Sequence, residues 1–380
     1  VQTWAIFCRV VDNFGDIGVC WRLARQLANE HALDVTLWVD DLASFAKIRP
    51  EINSNLATQT LETVTIRHWP ENWPAAIPAS DVVIETFACD LPPAYIEQMR
   101  THAAANSTAP IWINLDYLSA EDWVSGCHGL PSPQNGLKKY FFFPGFNEKT
   151  GGLIGEQSMR QQRAAWTASD AAALRQRLAP KLPVTNADTQ YFSLFAYENP
   201  ALNAWLEQLK DSPSPIVLFV PEGRVLPQIE QLLMLGELHT GEVYQYGAVS
   251  LAILPMLSQD DYDRLLWSCD LNFVRGEDSF VRAQWAALPM IWQIYPQSED
   301  THLEKLDAFL QLYLADLPPE LATALRDFYY AWNQGGDIAQ SWRMLNTERE
   351  ILRQHAKNWA KRLAAHGDLA TNLVKFTQSI

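Results

Sequence analysis

At 380 residues the chain is long enough for two domains with separate cores. Hydrophobic residues make up 48 % of it, yet no apolar run approaches the roughly 20 residues of a membrane helix and no basic-then-apolar leader is present, so a cytoplasmic globular protein is expected. A formal net charge of −15 argues against nucleic acid or an anionic membrane as partner and favours a cationic substrate or a basic patch on a protein.

Short apolar runs alternate with helical patterns through the first half. Trp4 to Arg9, Val35 to Val39, Val64 to His68, Val82 to Glu85 and Ile111 to Leu115 read as buried strands. Val19, Leu23 and Leu27 recur at helical spacing after the first. Pro92 and Pro93 open a second helix carrying Tyr95, Ile96 and Met99. Strands alternating with helices predict a parallel sheet covered on both faces. The stretch from Gly126 to Gly155 breaks the rhythm; it carries Lys138, Lys139 and the aromatic run Tyr140 to Phe143, which reads either as a functional loop or as one more core strand.

Between Val11 and Gly18 the chain reads Val-Asp-Asn-Phe-Gly-Asp-Ile-Gly, where a dinucleotide fold carries its glycine fingerprint. The match is poor, because two aspartates stand where a pyrophosphate needs uncharged backbone. Asp12 and Asp16 either cap a helix that starts near Gly18 or form a receptor for a guanidinium or ammonium group, with one of them available as a general base.

Pro, Thr, Asn and Asp concentrate between Ala179 and Gln190, which places a domain boundary there. Strands then resume at Tyr191 to Ala196, Ile216 to Val220, Ser250 to Leu254, Leu271 to Val274 and Met290 to Tyr295. Ser258 caps a helix marked by Tyr262, Leu265, Leu266 and Cys269. Two such α/β domains predict a ligand cleft at the carboxyl ends of their sheets. Leu352, His355, Trp359 and Leu363 share a helical stripe that stops at Gly367, and Leu369, Leu373 and Phe376 mark a last short helix.

The most informative segment runs from Asn272 to Trp285. A strand ends, Gly276 turns the chain, and a helix begins, which is where backbone N–H groups and the helix dipole meet an anion. Arg275 adds a positive charge and Ser279 a hydroxyl. Glu277 and Asp278 would repel a phosphate unless they face sugar hydroxyls, so a phosphate joined to a sugar is indicated; the alternative is that both acids only stabilise the first turn of the helix. Phe195 and Tyr197, read as falling on the two faces of the strand end, could stack on a base, and Gln259 could bond a pyrimidine edge. Trp69, Trp73 and Trp292 are possible sugar-stacking rings, with burial in the core as the default. The five cysteines show no Cys-x-x-Cys spacing and the eight histidines no His-Glu-x-x-His, so neither a disulfide framework nor a metal site is expected.

Two long strings carry a family resemblance. Val10 to Leu23 reads Val-Val-Asp-Asn-Phe-Gly-Asp-Ile-Gly-Val-Cys-Trp-Arg-Leu; Asp263 to Gln297 holds Leu-Leu-Trp, Asn-Phe-Val-Arg-Gly-Glu-Asp-Ser-Phe-Val-Arg-Ala-Gln-Trp and Trp-Gln-Ile-Tyr-Pro-Gln. The chain resembles, over nearly its whole length, the protein-arginine rhamnosyltransferase family that modifies bacterial elongation factor P. That resemblance implies a GT-B glycosyltransferase fold. The N-terminal acceptor domain would span residues 1–180 and the C-terminal domain, binding dTDP-β-L-rhamnose, residues 181–361. Helices over about 362–380 would cross back onto the first domain.

It further implies catalytic roles for Asp12, Asp16 and Glu277, with Asp16 as the base. A donor site would be built from Phe195, Tyr197, Gln259, Arg275, Asp278 and Ser279, without a metal or other cofactor. Met256 departs from an aromatic residue of the family pattern, though a polarizable Met can still pack on a base. Without the resemblance, the residues leave open a nicotinamide-dependent oxidoreductase and a non-enzymatic nucleotide-sugar sensor.

Overall fold

The computed structural model describes residues 2–11, 14–74, 77–105, 108–134, 136–234, 236–296 and 301–380. The chain forms two compact units, the first running to Met159 and adding Leu363–Ile380, the second spanning Arg160–Arg362.

Among the described residues, the first unit contains the strands β1 (Thr3–Cys8), β2 (Asp34–Val39), β3 (Thr58–Leu61), β4 (Val64–His68), β5 (Val82–Thr86), β6 (Ile111–Leu115), β7 (Pro131–Gln134) and β8 (Leu137–Phe142). Its helices are α1 (Gly15–His31), α2 (Leu42–Ile48), α3 (Pro93–Ala105), α4 (Asp122–Cys127) and the start of α5 (Gln157–Ala165). The sheet order is β3-β4-β2-β1-β5-β6-β8-β7, and all neighbours are parallel except the edge strands β3 and β7. Counted along the chain, the parallel strands run third, second, first, fourth, fifth, sixth, the doubly wound arrangement.

Alternation along β1 explains how both faces become core. Trp4, Ile6 and Cys8 pack with Ile17, Cys20, Trp21 and Leu27 of α1, while Ala5 and Phe7 pack with Tyr95 and Met99 of α3. The aromatic run after Lys139 resolves in favour of a strand, since Tyr140 to Phe142 lie in β8. Lys139 faces the buried Glu85 at 3.4 Å and lies over the Trp112 ring, so it serves the core.

The second unit follows the same plan. Helix α6 (Ala168–Leu178) precedes β9 (Gln190–Leu194), α7 (Leu202–Lys210), β10 (Ile216–Pro221), α8 (Leu226–Leu233), β11 (Val243–Tyr246), β12 (Val249–Leu254), α9 (Gln259–Trp267), β13 (Leu271–Arg275), α10 (Asp278–Ala286) and β14 (Met290–Gln293). Helices α11 (Thr301–Tyr313), α12 (Pro319–Gln334), α13 (Ala339–Thr347) and α14 (Arg349–Ala365) complete it. The order β11-β12-β10-β9-β13-β14 again winds both ways from the first strand, with β11 the one antiparallel strand among the described residues.

The unit boundary at Met159 lies upstream of the one expected at residue 180. Helix α6 belongs to the second unit. Arg175 donates to the Ser268 carbonyl at 2.7 Å, Arg177 pairs with Asp261, and Ala179 is buried beside Val217, Leu254 and Leu265. The Pro- and Thr-rich stretch is therefore a loop inside that unit, whereas the boundary falls within α5, where a continuous helix leaves no change of composition. At the other end, the helix α15 (Leu369–Ser379) belongs to the first unit and packs Leu369, Ala370 and Leu373 into the core shared by α1 and β1.

Candidate active site

In an open α/β sheet, ligands bind where the winding reverses, outside the carboxyl ends of the strands. That point lies between β1 and β5 in the first unit and between β9 and β13 in the second.

Asp16 stands at the first of these points. Helix α1 begins at Gly15, not near Gly18, so Asp16 falls in its first turn, where it is only 3 % exposed. It does not cap the helix, whose N-cap is Phe14; its Oδ2 accepts the Val11 N–H at 2.8 Å, tying the β1–α1 loop to the helix. Val10 N–H donates to Asp40 from the end of β2, which fixes the same loop from its other side. Asp12, the other acid of the expected pair, lies outside the described residues.

Burial, then Cys20, Asp16 and Cys89 close by, hold the Cys8 thiol well above its ordinary value, which makes it packing and not a nucleophile. Facing α1, the end of β5 is pinned by Thr86, whose hydroxyl donates to the Phe7 carbonyl at 2.6 Å and accepts from Cys20. Directly after it Phe87, Ala88 and Asp90 take φ of +54°, +51° and +54°, left-handed values that non-glycine residues rarely adopt. Phe87 N–H donates to the Leu115 carbonyl, and its ring stacks on Tyr117 at 4.4 Å. Sequence reading missed this strained wall, since nothing in Phe-Ala-Cys-Asp announces a left-handed turn.

The second point gathers the residues expected to hold the donor. Strand β13 ends at Arg275, Gly276 turns with φ +60°, and Glu277 is the N-cap of α10. No side-chain capping bond is made by Glu277, so helix capping does not account for its carboxylate. Asp278 Oδ2 accepts from Gln259 Nε2 at 3.2 Å, joining the first residues of α9 and α10. Ser279 is occupied differently from its expected use as a phosphate donor. Its hydroxyl accepts from Arg275 N–H at 3.0 Å and donates to the Arg275 carbonyl, closing the turn.

The Arg275 guanidinium lies 4.4 Å from the Phe195 ring centroid and 4.5 Å from that of Tyr197. The two rings therefore share one cation and do not fall on opposite faces: β9 ends at Leu194, before either ring, and the chain bends at Tyr197. Tyr262 packs on Phe195 at 5.5 Å, and burial, assisted by nearby Asp278, pushes its hydroxyl up, so it stays neutral. Met256 is half-buried in the loop between β12 and α9. Among the described residues, no three His, Cys, Asp or Glu side chains are placed to hold a metal ion.

The three candidate tryptophans pack in or against the core. Trp69 meets Phe7 edge-on at 5.3 Å, Trp73 lies 4.5 Å from Trp38, and Trp292 stacks on Phe280 at 3.9 Å while its Nε1 donates to the Gly276 carbonyl. Trp292 thereby buttresses the glycine turn from beneath.

Two doubly wound units, with an anion-suited turn at the switch point of the second, define the class of the chain as the GT-B fold. The fold recurs at 10 % identity in UGT89C1 of Arabidopsis thaliana, solved with UDP-L-rhamnose, with a TM-score of 0.51 over 100 % of this chain and 98 % of that one. The family model of Elongation-Factor P (EF-P) rhamnosyltransferase EarP matches residues 4–378, and the chain belongs to the EarP family. A protein-arginine rhamnosyltransferase of Pseudomonas putida (strain KT2440) is 53 % identical over 377 residues, 98 % of each chain. A solved structure for EarP-mediated arginine glycosylation of translation elongation factor EF-P is 38 % identical, with a TM-score of 0.69 over 100 % of this chain and 99 % of that one. The protein is thus an enzyme, a protein-arginine rhamnosyltransferase, which sets aside the oxidoreductase and the sensor.

Proposed function

We propose that the enzyme moves L-rhamnose from dTDP-β-L-rhamnose to an arginine side chain of translation elongation factor P, with inversion and without a metal, in the cytoplasm. The observation that carries this reading is the turn at Arg275, Gly276 and Glu277: a cation, a left-handed glycine and a helix N-terminus in succession at a switch point. Phe195, Tyr197 and Gln259 would receive the thymidine, Arg275 and the α10 N-terminus the diphosphate, and Glu277 and Asp278 the sugar hydroxyls.

A guanidinium has a pKa above about 12, so no carboxylate removes its proton beforehand. Asp12 and Asp16 would orient the fork. As the nitrogen forms its bond to the anomeric carbon, the bond from that carbon to the diphosphate oxygen breaks, the electron pair leaves with the diphosphate, and Asp16 takes the nitrogen's proton late. Charge growing on the leaving group meets Arg275 and the helix dipole. Ser279 contributes by holding the turn. One displacement on a β-linked donor yields α-rhamnosyl arginine.

The test is the intact mass of purified elongation factor P after incubation with this enzyme and dTDP-β-L-rhamnose. A gain of one deoxyhexose that requires both is expected. No gain in a preparation that binds the donor would overturn the acceptor assignment. A β anomer in the product's NMR spectrum would overturn inversion.

A further inference from the structure

Helices α9 and α10 are joined by two rungs, one turn apart. The first is the bond from Gln259 to Asp278 at the ligand end. In the second, Arg282 Nε and Nη2 each donate to one oxygen of Asp263, both at 2.9 Å, with Arg282 1 % and Asp263 3 % exposed. Asp263 follows Gln259, and Arg282 follows Asp278, by four residues, so each second-rung residue lies directly below its first-rung partner on the same helix face. Tyr262, adjacent to Asp263, carries the ring on which Phe195 packs.

A buried ion pair is a poor means of holding two helices together. Desolvation offsets much of its attraction, and apolar side chains of similar volume often stabilise as well or better. What a planar, two-point pair adds is geometry, because both bonds survive at only one rotation and one axial offset of the two helices.

We propose that Asp263 and Arg282 are positioning residues for the donor site: they set the register of α9 against α10, and so the separation of Gln259 from Asp278 and the seat of Tyr262 under Phe195. The inference rests on the reading of that site as the dTDP-sugar site. The pair touches no substrate; its effect reaches the nucleotide through Gln259, Asp278 and Phe195.

Replacing both residues by apolar ones, Asp263→Leu with Arg282→Met, separates register from stability. Melting temperature and dTDP affinity by calorimetry are read together with donor KM and kcat. Expected are a melting temperature equal to or above that of the parent, dTDP binding and donor KM weakened roughly tenfold, which corresponds to about 1.4 kcal/mol, and kcat at saturating donor within about twofold. A parent-like affinity and KM in the folded double variant would overturn the proposal, as would a loss confined to kcat.

Arg282→Lys, which keeps the charge but not the two-point geometry, provides the second reading. It is expected to weaken dTDP binding by several fold, and parent-like binding would overturn the proposal even if the double variant does not fold. Failure of the parent enzyme to bind dTDP at all would instead remove the site assignment on which the inference stands.

Discussion

Asp16 combines burial with a hydrogen bond that its amide would largely keep. In Asp16→Asn the side-chain oxygen still accepts from Val11 N–H, so the β1–α1 loop is retained while the charge and the proton acceptor are lost. Transfer to the arginine is expected to fall by roughly 10²–10⁴, the range for removal of a general base, with dTDP affinity unchanged in calorimetry. Turnover within tenfold of the parent would take the base role away from Asp16. His128 poses a different question for the same unit. Its Nδ1 accepts the Phe143 N–H at 3.1 Å, a bond that needs the unprotonated nitrogen, and burial holds its pKa below the ordinary value of about 6.5. The unfolded chain therefore takes up the proton first. The stability contributed by neutral His128 is present above about pH 6.5 and is lost as pH falls through the lower folded-state value. Thermal melts between pH 7.5 and 5 should show a drop that is smaller in His128→Gln, and identical slopes for the two proteins would count against it.

At the scale of elements, what could be read from the chain depended on burial. Strands β1, β5, β10 and β13 are buried along most of their length and show as continuous apolar runs, within a residue or two of their observed ends. Strands β3, β7 and β11 escaped notice because each pairs with one neighbour at a sheet edge and needs little apolar character; β7 even holds Pro131 and Pro133, which only an edge tolerates. The site divides the same way. Arg275 to Ser279 are consecutive and announce strand, turn and helix, whereas the Gln259–Asp278 and Asp263–Arg282 rungs join residues far apart in the chain, and their i, i+4 spacing has meaning only once two helices face each other. A similar long-range constraint sits at Gly151, whose own φ, unlike the +76° of Gly152, lies outside the left-handed region, so backbone conformation does not call for a glycine there. A Cβ there would stand 2.4 Å from Cε1 of Phe142 and 3.0 Å from Leu369, so the residue is glycine because β8 and α15 close over it. Gly151→Ala should destabilise the first unit by about 1–3 kcal/mol through overpacking, measured by urea denaturation. An unchanged midpoint would show that Phe142 can swing aside.

For the molecule as a whole, the chain starts and ends in one unit and builds the other in between, so the last helix completes a core begun by the first strand. Helix α15 places Leu369 and Leu373, both essentially inaccessible, against α1, and Asp368 accepts from Gln26 of α1 at 2.9 Å while capping α15 through Thr371 N–H. Burial of two leucines is worth about 3–6 kcal/mol, a large share of the roughly 5–15 kcal/mol that keeps a domain folded. Helix α1 also carries Asp16, so a chain ending at Gly367 should lose the structure around this proposed base. The residues proposed to hold the donor, Phe195, Tyr197, Gln259 and Arg275 to Ser279, belong to the other unit, which has its own buried core around Val217, Leu254 and Leu265. Removal of residues 368–380 is therefore expected to abolish arginine transfer while dTDP affinity stays within about threefold of the full chain, a difference of less than 1 kcal/mol. Proteolysis should then cut the first unit and spare the second. If the shortened chain transferred rhamnose at the parent rate, α15 would be dispensable to the acceptor side, and the buried Leu369–Leu373 stripe would be an ornament of the fold and not part of what holds Asp16 in place.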